Sequence, residues 1–342
     1  MTSMHLAVLG ATGVVGQEIL TVLEQRHFPV TSLRPLASAR SAGRTVTFRG
    51  MNVEVEPAGP DSFTGIDLVL ASAGAAVTRE LAPAIRRAGA ILIDNSSAFR
   101  MDPDTPLVVP EVNGDTATRH NGVVANPNCV AIILTVAIAP IHREVGIRRI
   151  VVSTYQSASG AGLAAMQELQ SQTKDVLDGR EASPKALPHQ IAFNVFSHNA
   201  AIGPDGYNGE EAKVMAETRK ILASPDLAIT ATCVRVPVLR AHTESINLSL
   251  ERPLSPEGAR ALLAEAPGVE IVDDPERNRF PMPTIASGRD AVYVGRIRRD
   301  LSQPEGLGLD LFVCGDQLRK GAALNAVQIA EVLAGASQPA RS

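Results

Sequence analysis

The chain has 342 residues, more than a single hydrophobic core usually supports, so two domains are expected. Hydrophobic residues make up 45% and the net charge is −4 with scattered basic residues, which argues against a nucleic-acid partner. No apolar run reaches the roughly twenty residues of a membrane span, and the first residues lack a secretory signal. We therefore expect a cytoplasmic protein without a membrane partner.

The first predicted elements are a strand at His5 to Leu9, a turn with the sequence GATGVVG, and an amphipathic helix. Gly10, Gly13 and Gly16 let the backbone turn tightly and approach a pyrophosphate, which the free N–H groups at the helix start then bind. The spacing GxxGxxG is a looser form of the dinucleotide fingerprint. An ordinary turn is therefore the alternative interpretation.

Strand-like segments follow at SLRPLA, DLVLASA, AILIDNS and NGVVAN, with a helical stretch at Arg79 to Ala88 between two of them. Such alternation predicts an α/β domain built on a doubly wound parallel sheet.

The second strand ends in ASARSAG, where proteins that prefer NAD usually place an acidic residue for the ribose 2′-hydroxyl. Ser38, Arg40 and Ser41 instead offer hydroxyls and a cation, which suit a 2′-phosphate. The pattern favours NADP, although Arg40 as a solvated loop residue is the alternative.

One cysteine stands at the predicted start of an apolar helix, in the sequence NPNC. Pro127 favours an extended Asn126, Asn128 is a good N-cap, and Cys129 falls in the first turn, where the helix dipole stabilises a thiolate. Cys233 and Cys314 are interpreted as buried packing residues. Three widely spaced cysteines form neither a zinc motif nor a disulfide framework, so no metal site is predicted.

A thiolate nucleophile needs an acid or base, and His189 and His242 are the candidates. His242 lies seven residues after Arg235, on a segment interpreted as a strand interrupted by Pro237. An odd offset separates two side chains onto opposite faces of a regular strand, but a kink at Pro237 relaxes that rule, so spacing leaves the question open. The remaining histidines, interpreted as surface or packing residues, are His5, His27, His120, His142 and His198.

The second half predicts a mostly antiparallel sheet with an apolar face that helices and another subunit would cover. Its predicted strands are Arg148 to Tyr155, Ala228 to Val238, Ser245 to Leu250, Ala291 to Ile297 and Leu307 to Val313. We place an NADP-binding domain at residues 1–127 plus 318–342, because the last helix would pack on the first sheet. A catalytic and dimerisation domain then occupies residues 128–317.

Taken in order, the motifs resemble those of the aspartate-semialdehyde dehydrogenase family over nearly the whole chain. They are GATGVVG, SARSAG, DNSSAFR, NPNC, TYQSASGAG, PHQIAFNV, EEAK, RVPVLRAHTESI and DQLRKGAALNAVQIAE. The resemblance implies a Rossmann-type NADP domain and an α+β domain like the C-terminal domain of glyceraldehyde-3-phosphate dehydrogenase, in a homodimer. Val130 departs from the Ser or Thr that many members have after the cysteine.

The resemblance implies reversible, NADPH-dependent reduction of L-aspartyl 4-phosphate to L-aspartate 4-semialdehyde with release of phosphate. The route passes through a thioester on Cys129 and serves biosynthesis of lysine, threonine, methionine and isoleucine. The implied partners are therefore small molecules, aspartyl phosphate and phosphate.

Individual site roles are also implied by the resemblance. Cys129 is the nucleophile, His242 the acid or base, and Gln156 orients the histidine or the substrate. The implied substrate-binding residues are Arg235 for the α-carboxylate, Glu210 for the ammonium group, Arg100 and Lys213 for phosphate, and Asn128. The implied cofactor-binding residues are Gly10, Thr12, Gly13, Val14, Val15, Ser38, Arg40, Ser41, Ser72, Gly74, Ser159, Gly160 and Gln317. Glu210 and Lys213 are three residues apart on a helix predicted after Asn208, so an ordinary exposed pair is the alternative.

Three rival functions stay open. N-acetyl-glutamyl-phosphate reductases share the chemistry, but their cysteine normally follows Gly and precedes an aromatic residue, whereas Asn128 and Val130 flank it here. Short-chain dehydrogenases need a Tyr with Lys four residues on, whereas Tyr155 is followed there by Ser159. A non-catalytic NADP-binding paralogue would be expected to have lost the cysteine or the histidine.

Overall fold

The computed structural model describes residues 4–335. Residues 1–3 and 336–342, which the sequence assigns to the cofactor domain, lie outside the described residues. The chain forms two compact units: a first unit that runs up to Asn128 and resumes at Ala322, and a second unit, Cys129–Gly321.

The first unit alternates strands with helices. Its strands are β1 (Met4–Leu9), β2 (Val30–Ala37), β3 (Thr45–Phe48), β4 (Met51–Glu54), β5 (Glu56–Pro57), β6 (Leu68–Ala71), β7 (Ile91–Asp94) and β8 (Val123–Ala125), and its first helices are α1 (Val14–Gln25), α2 (Ala75–Arg87) and α3 (Pro110–Asn113). Six strands form a parallel sheet in the order β5-β2-β1-β6-β7-β8, while β3 and β4 pair as a separate hairpin. The predicted doubly wound sheet is confirmed, and α2 begins four residues before the predicted helix at Arg79.

Hydrophobic cores cover both faces of this sheet, as expected for parallel strands. Leu6 and Val8 of β1 belong to one cluster, and Ala7 and Leu9 belong to a second cluster that includes Ile85 of α2. Leu6, Ala7, Val8 and Leu9 are all almost fully buried. This double burial explains why β1 appears in the sequence as a continuous apolar run rather than an alternating one.

The glycine turn after β1 packs too tightly for side chains. Gly10 has φ of 87°, and a Cβ on it would lie 2.9 Å from the Ser72 backbone. A Cβ on Gly16 would lie 2.2 Å from the Gly10 carbonyl oxygen. Since β2 and β6 flank β1 on opposite sides, the strand order reverses at this turn, which is where open parallel sheets bind ligands.

The second unit is a mixed sheet with helices. Its strands are β9 (Ile147–Gln156), β10 (Phe196–Ser197), β11 (Ala228–Arg235), β12 (His242–Leu250), β13 (Val269–Ile271), β14 (Val292–Arg299) and β15 (Gly308–Gly315), and its helices are α4 (Cys129–Val145), α5 (Leu163–Leu177), α6 (Gly209–Ile221), α7 (Pro256–Ala264) and α8 (Pro283–Ala286). The strand order is β10-β11-β9-β12-β15-β14-β13, and only the β11/β9 and β13/β14 pairs are parallel. The predicted, mostly antiparallel α+β unit is confirmed.

The interpretation of Arg235 and His242 as one interrupted strand is wrong. β11 ends at Arg235, β12 begins at His242, and the intervening loop includes Ala241 at φ of 75°. Pro237 has no N–H with which to extend the ladder. β9 lies between these two strands and pairs with both, so Arg235 and His242 belong to different strands and the parity rule does not apply.

The chain returns to the first unit through a π-helical turn, Arg319–Ala323, and helix α9 (Leu324–Leu333). Apolar residues of α9 join the same core as Leu6 and Val8 of β1. Arg26 at the end of α1 forms an ion pair of 2.7 Å with Glu331 of α9. Within residues 4–335 no helix has both the length and the apolar character needed to cross a membrane.

Candidate active site

A cavity of about 420 Å³ opens in the first unit where β1, β2 and β6 end. Five residues predicted to bind the cofactor line it: Gly10, Thr12, Gly13, Ser38 and Ser72. Because these side chains are small, backbone groups form much of the wall beside the glycine turn. A dinucleotide phosphate fits such a wall, since only small residues let it approach the backbone closely.

The other side of this cavity was not predicted from the sequence. It is lined by Ala58, Ala73, Val77, Glu80 and Leu81. These residues come from the loop after β5, the loop after β6 and α2, far along the chain from the glycine turn. The sheet topology could have predicted this wall, because the helix after β6 must start beside the carboxyl end of β1.

The other predicted cofactor residues of the first unit flank the cavity without lining it. Val14 and Val15 begin α1, and Gly74 with φ of 87° is the N-cap of α2. Arg40 and Ser41 lie in a short 3-10 turn directly after Ser38. Arg40 is exposed and has no hydrogen bond or ion pair to any residue in the described part of the chain.

Cys129 is the first residue of α4 and is partly exposed, whereas Cys233 and Cys314 are fully buried. Burial raises the pKa of both of those thiols to about 12, so they are inert packing residues as the sequence predicts. A Cβ on Gly321 would lie 2.8 Å from the Cys129 Cβ. Glycine at this point therefore leaves the space that the cysteine occupies.

Arg235 is buried, with a polar contact on each nitrogen. Its Nη2 lies 2.8 Å from His198 Nε2, its Nη1 donates to the Ser157 carbonyl oxygen at 3.3 Å, and its Nε donates to Asn199 Oδ1 at 3.4 Å. Burial lowers the pKa of Arg235, while the charges of Glu210 and Cys129 oppose that shift. A guanidinium stays cationic even so, which leaves a fixed positive charge in the second unit.

His242 is completely buried at the start of β12. Its Nδ1 accepts a hydrogen bond from the Ser157 backbone N–H at 3.1 Å, and its Nε2 has no partner among the described residues. Burial, followed by the charge of Arg235, lowers the pKa of His242 to about 3. The imidazole is therefore neutral near neutral pH.

Arg235 and His242 converge beside Gly160. A Cβ on Gly160 would lie 3.0 Å from His242 Nε2 and 3.1 Å from Arg235 Nη1. The predicted role for this glycine was close approach to the nicotinamide. The structure shows in addition that any side chain here would displace both groups.

Gln156, Glu210 and Lys213 form a connected group. Gln156 Nε2 donates to Glu210 Oε1 at 3.2 Å, and Lys213 Nζ lies 3.5 Å from Glu210 Oε2. Helix α6 begins after its N-cap Asn208, as predicted, and Glu210 is buried, so the exposed-pair alternative does not describe it. Within the described residues Gln156 makes no hydrogen bond to His242, which leaves orientation of the substrate as its predicted role.

Ser159 and Gln317, both predicted to bind the cofactor, contact each other directly. Gln317 Nε2 donates to Ser159 Oγ, and Gln317 Oε1 accepts from the Ala241 N–H at 2.8 Å. Ser159 Oγ in turn lies 3.1 Å from Ser157 Oγ. These contacts join the loop after β9, the loop before β12 and the segment after β15.

The other predicted substrate residues, Arg100 and Asn128, are buried in the first unit. Arg100 Nε donates to the Asn126 carbonyl oxygen at 3.0 Å, and its Nη2 donates to the Asn95 carbonyl oxygen at 2.8 Å. Backbone oxygens therefore orient this cation. Its predicted role in phosphate binding stays a prediction.

Two residues beside Arg235 were not predicted as site residues from the sequence: Ser157 and His198. His198 was interpreted as a surface or packing residue, but it contacts Arg235, and burial lowers its pKa to about 4. His198 lies in no quoted motif, whereas Ser157 lies within TYQSASGAG, between the assigned residues Gln156 and Ser159. The signal lies in the pairing of β10 and β9 with β11, which only the folded chain provides.

Two family models match this chain. The first is "Semialdehyde dehydrogenase, NAD binding domain" over residues 5–120, and the second is "Semialdehyde dehydrogenase, dimerisation domain" over residues 138–320. Together with the parallel sheet, its glycine turn and the second mixed sheet, these matches define a semialdehyde dehydrogenase with an NAD binding domain and a dimerisation domain.

Individual relatives narrow this class. The aspartate-semialdehyde dehydrogenases of Synechocystis sp. and Bacillus subtilis are 54% and 47% identical to the chain, each over 96% of it and 97% of the relative. The crystal structure of aspartate semialdehyde dehydrogenase II complexed with ASA from Vibrio cholerae has a TM-score of 0.95 and 41% identity, over 98% of this chain and 99% of that one. The Candida albicans enzyme with NADP has a TM-score of 0.75 and 25% identity, over 97% and 99%. The chain belongs to the aspartate-semialdehyde dehydrogenase family of oxidoreductases.

Proposed function

We propose that the protein catalyses reversible, NADPH-dependent reduction of L-aspartyl 4-phosphate to L-aspartate 4-semialdehyde with release of phosphate. The reaction would serve biosynthesis of lysine, threonine, methionine and isoleucine in the cytoplasm. The observation that carries the proposal is the convergence of Arg235 and His242 beside Gly160, in the same unit as the partly exposed Cys129. The relative crystallised with ASA has the same fold and 41% identity, which supports the choice of substrate.

Cys129 would be the nucleophile. Its thiolate attacks the acyl carbon of aspartyl phosphate, and the carbon–oxygen bond to phosphate breaks, which leaves a thioester. Its position in the first turn of α4 favours the thiolate, because the helix N-terminus stabilises negative charge. After reduction of the thioester carbon, collapse of the adduct re-forms the thiolate and releases the aldehyde.

The buried charges of the second unit would recognise the amino-acid part of the substrate. Arg235 suits the α-carboxylate because a guanidinium binds a carboxylate with two parallel hydrogen bonds. Glu210, buried and held by Gln156 and Lys213, suits the ammonium group. Lys213 and Arg100 are the proposed phosphate cations, and His242 serves the oxygen of the reacting carbonyl group.

The first unit would hold the cofactor, which supplies the hydride when bound. The cavity lined by Gly10, Thr12 and Gly13 fits a pyrophosphate, since a Cβ at Gly10 would already meet Ser72. Arg40 follows Ser38 of the cavity wall and is exposed with no partner in residues 4–335, so it can bind a 2′-phosphate. The relative crystallised with NADP supports this choice of cofactor.

We also propose that the protein acts as a homodimer through its second unit. The dimerisation-domain match spans residues 138–320, and three large apolar side chains in the segment between α5 and α6 are exposed: Phe193, Val195 and Ile202. Sedimentation velocity tests this point, with a dimer as the expected species. A monomer across micromolar concentrations would contradict it.

Activity with two aldehydes tests the function. The purified enzyme is expected to reduce NADP in a phosphate-dependent reaction with aspartate semialdehyde, and to react poorly with N-acetyl-glutamate semialdehyde. The unacetylated ammonium group is what Glu210 would recognise, so Glu210→Gln should raise KM for aspartate semialdehyde. Activity with the acetylated substrate alone would overturn the proposal in favour of an N-acetyl-glutamyl-phosphate reductase.

A further inference from the structure

Ser157, the residue after β9, contacts both His242 and Arg235. Its backbone N–H donates to His242 Nδ1 at 3.1 Å, and its hydroxyl oxygen lies 3.1 Å from the same nitrogen. Its carbonyl oxygen accepts from Arg235 Nη1 at 3.3 Å. The backbone N–H of Ser157 therefore orients the His242 imidazole, and its carbonyl oxygen orients the Arg235 guanidinium.

The backbone contact decides where the proton of His242 lies. An amide N–H can only donate, so the Nδ1 that it faces must present a lone pair. A neutral imidazole carries one ring proton, which then resides on Nε2. The Ser157 hydroxyl is compatible with this arrangement because it can donate or accept, and it has a second contact with Ser159 Oγ at 3.1 Å.

The opposite edge of the ring faces the site. Nε2 is buried, has no hydrogen-bond partner among the described residues, and lies 3.0 Å from the position of a Cβ on Gly160. The charged and titratable groups that act on the ring are Arg235, Glu210 and His198; burial, Arg235 and His198 keep it neutral, while the charge of Glu210 opposes them. A buried N–H without a partner is costly, which is expected where a ligand supplies the acceptor.

We propose that Ser157 is a positioning residue that holds neutral His242 with its proton on Nε2, so that this N–H donates a hydrogen bond to the substrate. The inference rests on the proposed function, in which the acceptor is the carbonyl oxygen that becomes negative when Cys129 adds to the acyl carbon. His242 then stabilises that oxyanion as a donor.

Nitrogen NMR of the histidine rings tests the proton position directly. The full-length protein, with its seven histidines labelled with ¹⁵N, is measured without substrate near neutral pH, and His242→Gln identifies the signal of interest. We expect an unprotonated Nδ1 and a protonated Nε2. Ser157→Ala, which keeps the backbone N–H, is expected to show the same pattern. Protonation of Nδ1 in the wild type, or a change of tautomer in Ser157→Ala, would overturn the assignment.

Kinetics of two His242 variants test the donor role. The amide of Gln reaches near the position of Nε2 and can donate there, whereas the amide of Asn reaches only near Nδ1. His242→Gln is therefore expected to keep a kcat at least about tenfold above that of His242→Asn, within the 10²- to 10⁴-fold range of proton-handling groups. Equal losses would contradict donation from Nε2. The NMR result needs no turnover, so an inactive wild type would refute the proposed function and leave the assignment of Ser157 intact.

Discussion

The cofactor cavity of the first unit and the polar cluster of the second unit are built in opposite ways. The cavity is walled by glycines, small hydroxyl residues and backbone groups that surround the ends of β1, β2 and β6. The cluster consists of buried charged and polar side chains, among them Arg235, His242 and Glu210, that hold one another in place. In the proposed function the first region would bind its ligand by shape and backbone groups, and the second would act through fixed charges.

This difference teaches where substitutions should act. Changes at the cavity should alter cofactor affinity and choice, because its residues contact a bound group without taking part in bond making. Changes in the cluster should alter kcat, because its members orient reacting atoms and a displacement of about 1 Å can cost 10²-fold in rate. The following variants test that division.

Cys129→Ala should lower kcat by about 10⁵-fold and leave cofactor affinity nearly unchanged, because only the sulfur is lost and the Cβ that packs on Gly321 remains. Steady-state kinetics and fluorescence titration with NADPH measure the two effects. Cys233→Ala, at a buried thiol, is the control and should keep its rate. Appreciable turnover by Cys129→Ala would contradict covalent catalysis.

Gly160→Ala should lower kcat by about 10²-fold, since the new methyl group would lie 3.0 Å from His242 Nε2 and displace the ring. The matched control is Gly59→Ala, where a Cβ meets no atom within 4 Å and φ is −154°. Comparing kcat with thermal stability separates displacement of the site from loss of fold. An unchanged kcat would show that the convergence of Arg235 and His242 does not matter for catalysis.

Arg40→Asp should shift the ratio of kcat/KM for NADP over NAD by about tenfold or more toward NAD, as expected for loss of a charge-assisted contact to the 2′-phosphate. Arg44→Asp makes the same change of charge at a nearby exposed residue and should have a smaller effect. If NADP affinity stays the same in Arg40→Asp, the basis of the predicted cofactor preference is wrong.

Glu244→Gln should stabilise the protein by about 1–3 kcal/mol near pH 8, because Gln does not titrate and so avoids the cost of protonating a buried carboxyl that is ionised in the unfolded chain. The carboxyl of Glu244 is fully buried, and neither oxygen has a hydrogen-bond partner in residues 4–335. Burial raises its pKa well above the ordinary 4.5, so the folded state binds more protons than the unfolded state and loses stability as pH rises.

The gain from Glu244→Gln should therefore shrink toward about pH 5, close to the ordinary pKa of 4.5, where the unfolded carboxyl also begins to bind a proton. Urea unfolding at both pH values measures the difference. Glu265→Gln, at an exposed carboxyl, should change stability little at either pH. A gain that does not depend on pH would show that Glu244 is not the titrating group.

The contrast also explains how much the sequence could predict. The turn at Gly10 and Gly13 is formed by residues that are contiguous in the sequence. One motif therefore predicts the turn, the strand before it and the helix after it. The start of α6 after Asn208 was likewise predicted from residues that are adjacent in the sequence. Ser157 and His198 could not be found, because strand pairing around β11 brings them to Arg235. His242 was recognised through the family resemblance, while the interpretation of one kinked strand through Arg235 was wrong.

A phosphate-free burst experiment tests most directly whether Cys129 carries an acyl intermediate. The enzyme is mixed with aspartate semialdehyde and NADP without phosphate, and both NADPH absorbance and the mass of the Cys129 peptide are followed. We expect a burst of NADPH equal to the number of active sites, with an aspartyl group on Cys129 that added phosphate removes. No burst, or an aspartyl group on another residue, would contradict it.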